Sequence, residues 1–337
     1  MPPPLEPIVF ELLSTDGVEL PFDASEHVDV TTLATREGPY STTVHFQIAS
    51  PNLAWRGYLK VADDKLLAHE FEALRAMSRL MDGKHFSVAR PIAYLEQHSA
   101  LVTEAAPGVD LGSAIKERVR AFPRPRAIDE LLRHCERCGE WLRVYHEATC
   151  VDGIKLSLEE MRDYVDARLE FLARQRVASF SADDRRLLLQ AFDRLAEHVS
   201  DDQLGFVGIH GDYSPGNLIV SEKKVVVIDF TMAEQGSRYH DIAHLYHHLR
   251  SIGENPRYDA DATRELRRAL ARGFGDPDLA QQPLFRLFEL QHAVCMMAPK
   301  PGGSMAARLL ELYLVRRRLR WLRGAYRSGE AAPSTVA

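Results

Sequence analysis

The chain has little that would tie it to an oxidising compartment, a membrane or a nucleic acid. Its 337 residues include only four cysteines. Cys135 and Cys138 form a CxxC inside a predicted helix with no second pair, and Cys150 and Cys295 stand apart, so a zinc ribbon has no support and reduced thiols in a cytosolic protein are expected. No run of eighteen consecutive apolar residues occurs, and the opening MPPPLEPIVFELL lacks a basic segment before a long apolar run. Neither a membrane span nor a signal peptide is therefore predicted. A formal net charge of −6 offers no broad attraction to a phosphate backbone, so no nucleic acid partner is expected. No GxxxxGK[ST] segment is present, which excludes a P-loop, and no internal repeat is visible. What remains is ordinary globular composition, 45% hydrophobic and 27% charged, in a chain long enough for two sizeable cores.

The informative segment is HGDYSPGN at 210–217, followed one hairpin later by VVVIDF at 225–230. Leu218 to Val220 and Val225 to Ile228 read as strands, and SEKK at 221–224 as the turn between them. Pairing inward from that turn sets Asn217 opposite Ile228, beside Asp229. A side-chain amide and a carboxylate brought together in this way offer oxygens that suit Mg²⁺, and Asp212 is left to orient an attacking hydroxyl. The plain alternative is a hydrophilic turn, since Gly, Asp, Ser, Pro and Asn are all turn formers. His210, Asp212, Asn217 and Asp229 resemble the HGDxxxxN and IDF signatures of the aminoglycoside phosphotransferase (APH)-like kinases, relatives of protein kinases that include choline, homoserine and sugar kinases. The resemblance implies a bilobal α+β protein-kinase-like fold, with a small β-rich N-lobe carrying one key helix and a larger, mostly helical C-lobe. It also implies that Asp212 is the catalytic base, that Asn217 and Asp229 hold Mg²⁺, and that His210 braces the loop.

Such a fold requires a strand lysine, a helix glutamate and a hinge upstream, in that order. WRGYLKV at 55–61 is a strand candidate carrying Lys60, and Lys65 to Leu80 is helix-like with Glu70 within it. Lys60 and Glu70 are the expected ion pair, with Glu72 as the rival partner; the lysine would neutralise donor phosphates and the glutamate would fix its direction. The phosphate loop is placed at Arg36 to Phe46, where Gly38 is the only glycine and Ser41, Thr42 and Thr43 are the expected donors. Ala100 to Thr103 reads as the last strand before a hinge in which backbone groups from Glu104 to Ala106 would pair with a nucleotide base.

Beyond Pro107 the pattern turns helical, with candidates at 127–148, 157–174, 181–199, 239–251, 261–274, 284–297 and 305–327. The expected division is an extension at 1–25, a nucleotide-binding lobe and hinge at 26–106, a helical lobe with catalytic loop and acceptor site at 107–328, and a mobile tail at 329–337. Asp241 is similar to the family aspartate that starts a helix and braces the catalytic loop. His240, His244, His247 and His248 lie towards one side of that helix and read as satisfied or partly exposed histidines in preference to a zinc site. Phe230 is followed by Thr231 where protein kinases carry glycine, and no APE segment appears. The arginines from Arg316 to Arg327 read as a solvated helix face in preference to a contact with a membrane surface or an anionic acceptor. The expected activity is transfer of the γ-phosphoryl group of ATP or GTP to a hydroxyl of a small molecule or glycan. A protein serine/threonine kinase of the same fold and a nucleotide-binding pseudokinase are the alternatives.

Overall fold

A computed structural model describes residues 5–15, 18, 20–22, 27–81, 83, 85–121, 128–298 and 304–327; the expected tail from Gly329 lies outside them. The chain divides into two compact units, one formed by Met1–Val109 with Asn217–Ala233 and the other by Asp110–Gly216 with Glu234–Ala337. The segment at 217–233, assigned in the sequence to the helical lobe, thus belongs with the first unit.

The first unit begins with α1 (Leu5–Ser14), then β1 (Asp29–Glu37), β2 (Thr42–Ser50), β3 (Leu53–Val61), α2 (Asp64–Leu80), β4 (Phe86–Val88), β5 (Pro91–Leu95) and β6 (Ala100–Glu104). Its main sheet has the order β1-β2-β3-β6-β5. Alternation decides the faces. Val44, Phe46 and Ile48 of β2 and Trp55 and Leu59 of β3 point one way, into a core shared with Leu5, Ile8, Val9 and Leu12 of α1. Residues 1–25, expected to be an extension, therefore hold a helix that seals this sheet, and the signal was the 5, 8, 9, 12 spacing of its apolar residues. Lys60 alternates with Leu59 and so belongs to the opposite face. Helix α2 starts on Asp63, whose side chain accepts from the Lys65 amide, and it buries a stripe of Leu67, Glu70 and Leu74.

After β7 (Val109–Asp110), the second unit contains α3 (Leu111–Arg118), α4 (Asp129–Ala148), β8 (Val151–Lys155), α5 (Leu158–Arg174), α6 (Ala182–Ala196) and β9 (Gly205–Ile209). The chain returns to the first unit for β10 (Leu218–Val220) and β11 (Val225–Val227), then completes the second with β12 (Glu234–Ser237), α7 (Tyr239–Glu254), α8 (Ala260–Phe274), α9 (Pro283–Cys295) and α10 (Met305–Arg327). Side-chain caps set several starts: Ser157 accepts from Glu160, and Ser181 with Asp184 forms a capping box. Helices α4 and α8 approach backbone to backbone. A Cβ at Gly139 would stand 2.2 Å from the Leu270 carbonyl oxygen, and one at Gly273 only 1.8 Å from that of Glu136. Cys135 and Cys138 are free and fully buried on α4, where burial pushes the Cys135 thiol up to about 12. They act as small apolar side chains.

The basic run on α10 is not one solvated face. Arg318 is buried and donates to the Met296 carbonyl and the Ser251 hydroxyl, with Glu254 3.3 Å away, while Arg323 forms a two-pronged pair with Asp184 at 2.6 and 2.7 Å. Arg316 and Arg320 remain exposed. No described helix is long and apolar enough to cross a membrane.

Candidate active site

In the first unit, the hairpin of β10 and β11 has the register expected from the sequence. Leu218 pairs with Val227 and Val220 with Val225, the turn closes from the Ser221 amide to the Lys224 carbonyl, and the Ile228 amide donates to the Asn217 carbonyl at 3.0 Å. Asn217 and Asp229 consequently stand at the open end of one hairpin. Asp229 is in the left-handed region, at φ 65° and ψ 69°. Aspartate tolerates this conformation better than most residues. The short turn that follows, Phe230–Met232, anchors on the fully buried Phe230.

Lys60 is the centre of a closed network. Its Nζ lies 2.8 Å from Glu70 Oε2, 2.8 Å from Asp229 Oδ1 and 2.7 Å from Thr231 Oγ1. The Thr231 hydroxyl lies in turn 2.9 Å from the same Glu70 oxygen and 2.6 Å from the same Asp229 oxygen. An ammonium has three protons, and three acceptors here take them. Burial alone would lower the Lys60 pKa, but the two carboxylates outweigh it and hold the group above the ordinary lysine value. Glu70 experiences the opposite balance. Burial and the like charge of Asp229 hold it above the usual carboxylate range, because the one cation it faces is shared. Glu72, the rival, instead makes an exposed pair with Arg75 at 3.4 Å.

The other expected nucleotide contacts are placed differently. Most of the expected phosphate loop is strand: β1 runs to Glu37 and β2 starts at Thr42, leaving a turn at 38–41 closed by the Gly38 amide on the Ser41 carbonyl at 2.8 Å. The β-branched run at 42–44 favours extension. Thr42 and Thr43 are thus strand residues, and Thr43 is the cross-strand partner of Lys60. Glu104 ends β6 with its carboxylate on Trp55 Nε1 and Arg90 Nε; its amide donates to the Arg90 carbonyl and that of Ala105 to the Arg56 carbonyl. Ala106 follows directly, outside the strand.

In the second unit, the HGDYSPG part of the motif, residues 210–216, is held from several directions. The fully buried Asp241, in the first turn of α7, accepts from the His210 amide at 2.6 Å and the Gly211 amide at 3.0 Å. Burial alone would raise the Asp241 carboxyl, but His240, whose Nδ1 lies 3.2 Å away, and then His210 hold it well below the usual carboxylate range. The Asp212 amide donates back to His210 Nδ1 at 3.3 Å, and Gly211, at φ 81°, makes the bend that allows it. Tyr213 donates its hydroxyl to the Cys138 carbonyl at 2.9 Å and stacks on Trp141. The loop is therefore pinned on either side of Asp212, whose side chain keeps 47% of its surface exposed. His244 Nδ1 lies 3.9 Å from Asp212 Oδ1.

A sheet with a central strand lysine paired to a helix glutamate, and a braced HGDxxxxN loop set on a helical unit, define a phosphotransferase of the protein-kinase-like α+β class. Residues 37–282 match the model of APH, the phosphotransferase enzyme family, and the chain belongs to that family. It is a kinase-type phosphotransferase. No curated protein sequence matches it. Solved structures are similar in fold at low identity. A candidate aminoglycoside phosphotransferase from Ralstonia eutropha JMP134 is 14% identical at TM-score 0.59, covering 94% of this chain and 98% of that one. Aminoglycoside phosphotransferase APH(4)-Ia is 15% identical at TM-score 0.55, covering 94% and 97%. The ADP-bound APH(2'')-Ib is 11% identical at TM-score 0.52, covering 94% and 99%.

Proposed function

We propose that this protein transfers the γ-phosphoryl group of ATP or GTP to a hydroxyl of a small molecule or glycan, in the cytoplasm. The observation that carries the reading is the closed network of Lys60, Glu70 and Asp229. Two carboxylates fix a partly buried ammonium on the exposed strand face, as neutralising a polyphosphate requires. The first unit is the nucleotide-binding part: Lys60 neutralises the charge of the donor phosphates, Glu70 keeps it aimed, Thr43, its cross-strand partner, and Ser41 supply further donors, and Ala106 with Glu104 forms the base-binding hinge. The carbonyl of the Asn217 amide and the Asp229 carboxylate are hard oxygen donors, a set that fits Mg²⁺. That ion, when bound, neutralises charge on the phosphates. In the second unit, Asp212 orients the acceptor hydroxyl and accepts its proton as the oxygen bonds to phosphorus and the nucleoside diphosphate leaves. His210 and Asp241 keep the loop in shape.

Solved structures of similar fold include an APH(4)-Ia variant in a ternary complex with ADP and hygromycin B, which supports a nucleotide and a small-molecule acceptor as the substrate classes. Calorimetry and turnover on Asp212→Asn and Asp229→Asn test the assignment. The first variant should bind Mg-ATP with near-native affinity and lose about 10² to 10⁴ in rate, the range for general-base groups. The second should bind Mg-ATP poorly. An Asp212→Asn protein that lost nucleotide affinity yet kept its turnover would overturn the roles given to HGDYSPGN, and ATP binding without transfer to any hydroxyl compound would favour a binding module.

A further inference from the structure

The histidines of α7 are not simply core filling. His240, His244 and His248 recur every four residues and so share one face of the helix, and His292 of α9 packs against them. The His244 ring stacks on His292 at 4.6 Å with an 8° interplanar angle, and His292 Nε2 donates to the His240 carbonyl at 3.0 Å. His244 Nε2 lies 3.2 Å from His248 Nε2. Its other nitrogen, Nδ1, is buried without a hydrogen-bond partner and stands 3.9 Å from Asp212 Oδ1. Among the described residues no group of three or more His, Cys, Asp or Glu side chains is arranged to hold a metal ion, and the buried His244 Nδ1 asks for an explanation of its own.

Proton counting supplies it. Burial, with the neighbouring His248 and His240, lowers the His244 pKa to about 3, so the ring is neutral and carries one proton. Were that proton on Nε2, it would point at His248, and a bare Nδ1 lone pair would face a carboxylate oxygen. With the proton on Nδ1, the ring donates to Asp212, and its Nε2 accepts from the Nε2–H of His248. Only the second arrangement gives both nitrogens of His244 a complementary neighbour. Asp241, the other carboxylate nearby, is already committed to the His210 and Gly211 amides and to His240.

We propose that His244 is a positioning residue for the reaction: as the neutral Nδ1–H tautomer, backed by His248, it donates to the carboxylate of Asp212 and fixes its orientation. The inference rests on Asp212 being the catalytic base. The separation of 3.9 Å is about 1 Å longer than a hydrogen bond. Contacts of this kind often tighten only once substrate is bound.

The direct test is the ring-nitrogen NMR spectrum of the ¹⁵N-histidine-labelled full chain with ATP and Mg²⁺. The expected signature is a neutral His244 with protonated Nδ1 and bare Nε2, reverting towards Nε2–H in Asp212→Ala. An Nε2–H tautomer in the native protein would overturn the proposal. A second arm uses phosphate release from ATP with water as acceptor. His244→Asn puts an amide donor where Nδ1 was and should keep kcat within about threefold, whereas His244→Gln puts it where Nε2 was and should lose about tenfold to a hundredfold, the range for a hydrogen bond to a charged group. The KM for ATP should be unchanged in both. Equal losses in the two variants would assign His244 to packing. If Asp212→Asn turned over like the native protein while the Nδ1–H tautomer was present, the reading of Asp212 would fall and the His244 contact would stand.

Discussion

Thr231→Val isolates the hydroxyl that ties the Lys60 network together. Valine keeps the branched shape and deletes one polar atom. That atom touches the Lys60 ammonium and the carboxylates of Glu70 and Asp229 at 2.6 to 2.9 Å, but with a single proton it donates to one carboxylate at a time while accepting from Lys60. A hydrogen bond to a charged group contributes about 1.5–3 kcal/mol. Two such bonds set an upper limit near 3–6 kcal/mol, which must be discounted because the Asp229 side chain is 42% exposed and water can replace its share. The buried part, towards Lys60 and Glu70 at 17% and 4% side-chain exposure, leaves a loss of about 2 kcal/mol. Urea unfolding of the full chain at neutral pH, followed by circular dichroism, measures it, and Thr231→Ser should recover all but about 0.5 kcal/mol. A valine variant that unfolds at the native midpoint, or a serine variant that falls as far as valine, would refute the view that the hydroxyl holds the network.

Two further outcomes follow from burial. Burial holds His146 at about 4 and His292 and His247 well below the ordinary histidine value of 6.5, so the unfolded chain takes up protons first as the pH falls. Stability is full above about pH 6.5 and should drop towards pH 5 by about 2 kcal/mol per buried histidine, partly opposed by Glu70 and Glu254, whose raised carboxyls gain protons on folding. His146→Phe should flatten the slope of urea midpoint against pH, and a pH-independent midpoint would sink the argument. Gly273→Ala should cost about 1–3 kcal/mol or more because its Cβ would stand 1.8 Å from the Glu136 carbonyl, whereas Gly324→Ala on α10, where a Cβ meets nothing, should gain about 0.5–1 kcal/mol. Equal thermal shifts in the two would contradict the close approach of α4 and α8.

The legible parts of this protein were those in which spacing along the chain determines geometry. A four-residue turn fixes the register of β10 on β11, and the order of the residues alone therefore sets Asn217 opposite Ile228. The Lys60–Glu70 pair, 2.8 Å apart, was legible through the family resemblance, which asks for a strand lysine followed by a helix glutamate. Features that depend on distant partners were not legible. Thr231 reads only as a missing glycine until Lys60, far upstream, is folded against it. Arg318 and Arg323 look like neighbours of exposed arginines, yet Glu254 and Asp184, from other helices, turn them inward. His244 reads as a satisfied or partly exposed histidine because nothing local points it at Asp212. Helix α1 was legible but eclipsed by the proline-rich start that precedes it.

The discontinuity of the first unit has a consequence during synthesis. Its strands β10 and β11 are made about 110–120 residues after Val109, so at roughly 5–20 residues per second the nascent unit waits about 6–25 s for its last two strands. Throughout that interval β4, whose neighbour in the finished sheet is β11, has no strand to pair with. The Lys60–Glu70 pair likewise lacks Asp229 and Thr231. The protein cannot complete its first unit before most of its chain has left the ribosome, and a fragment ending at Val109 has the whole five-stranded sheet but leaves β4 an unpaired edge.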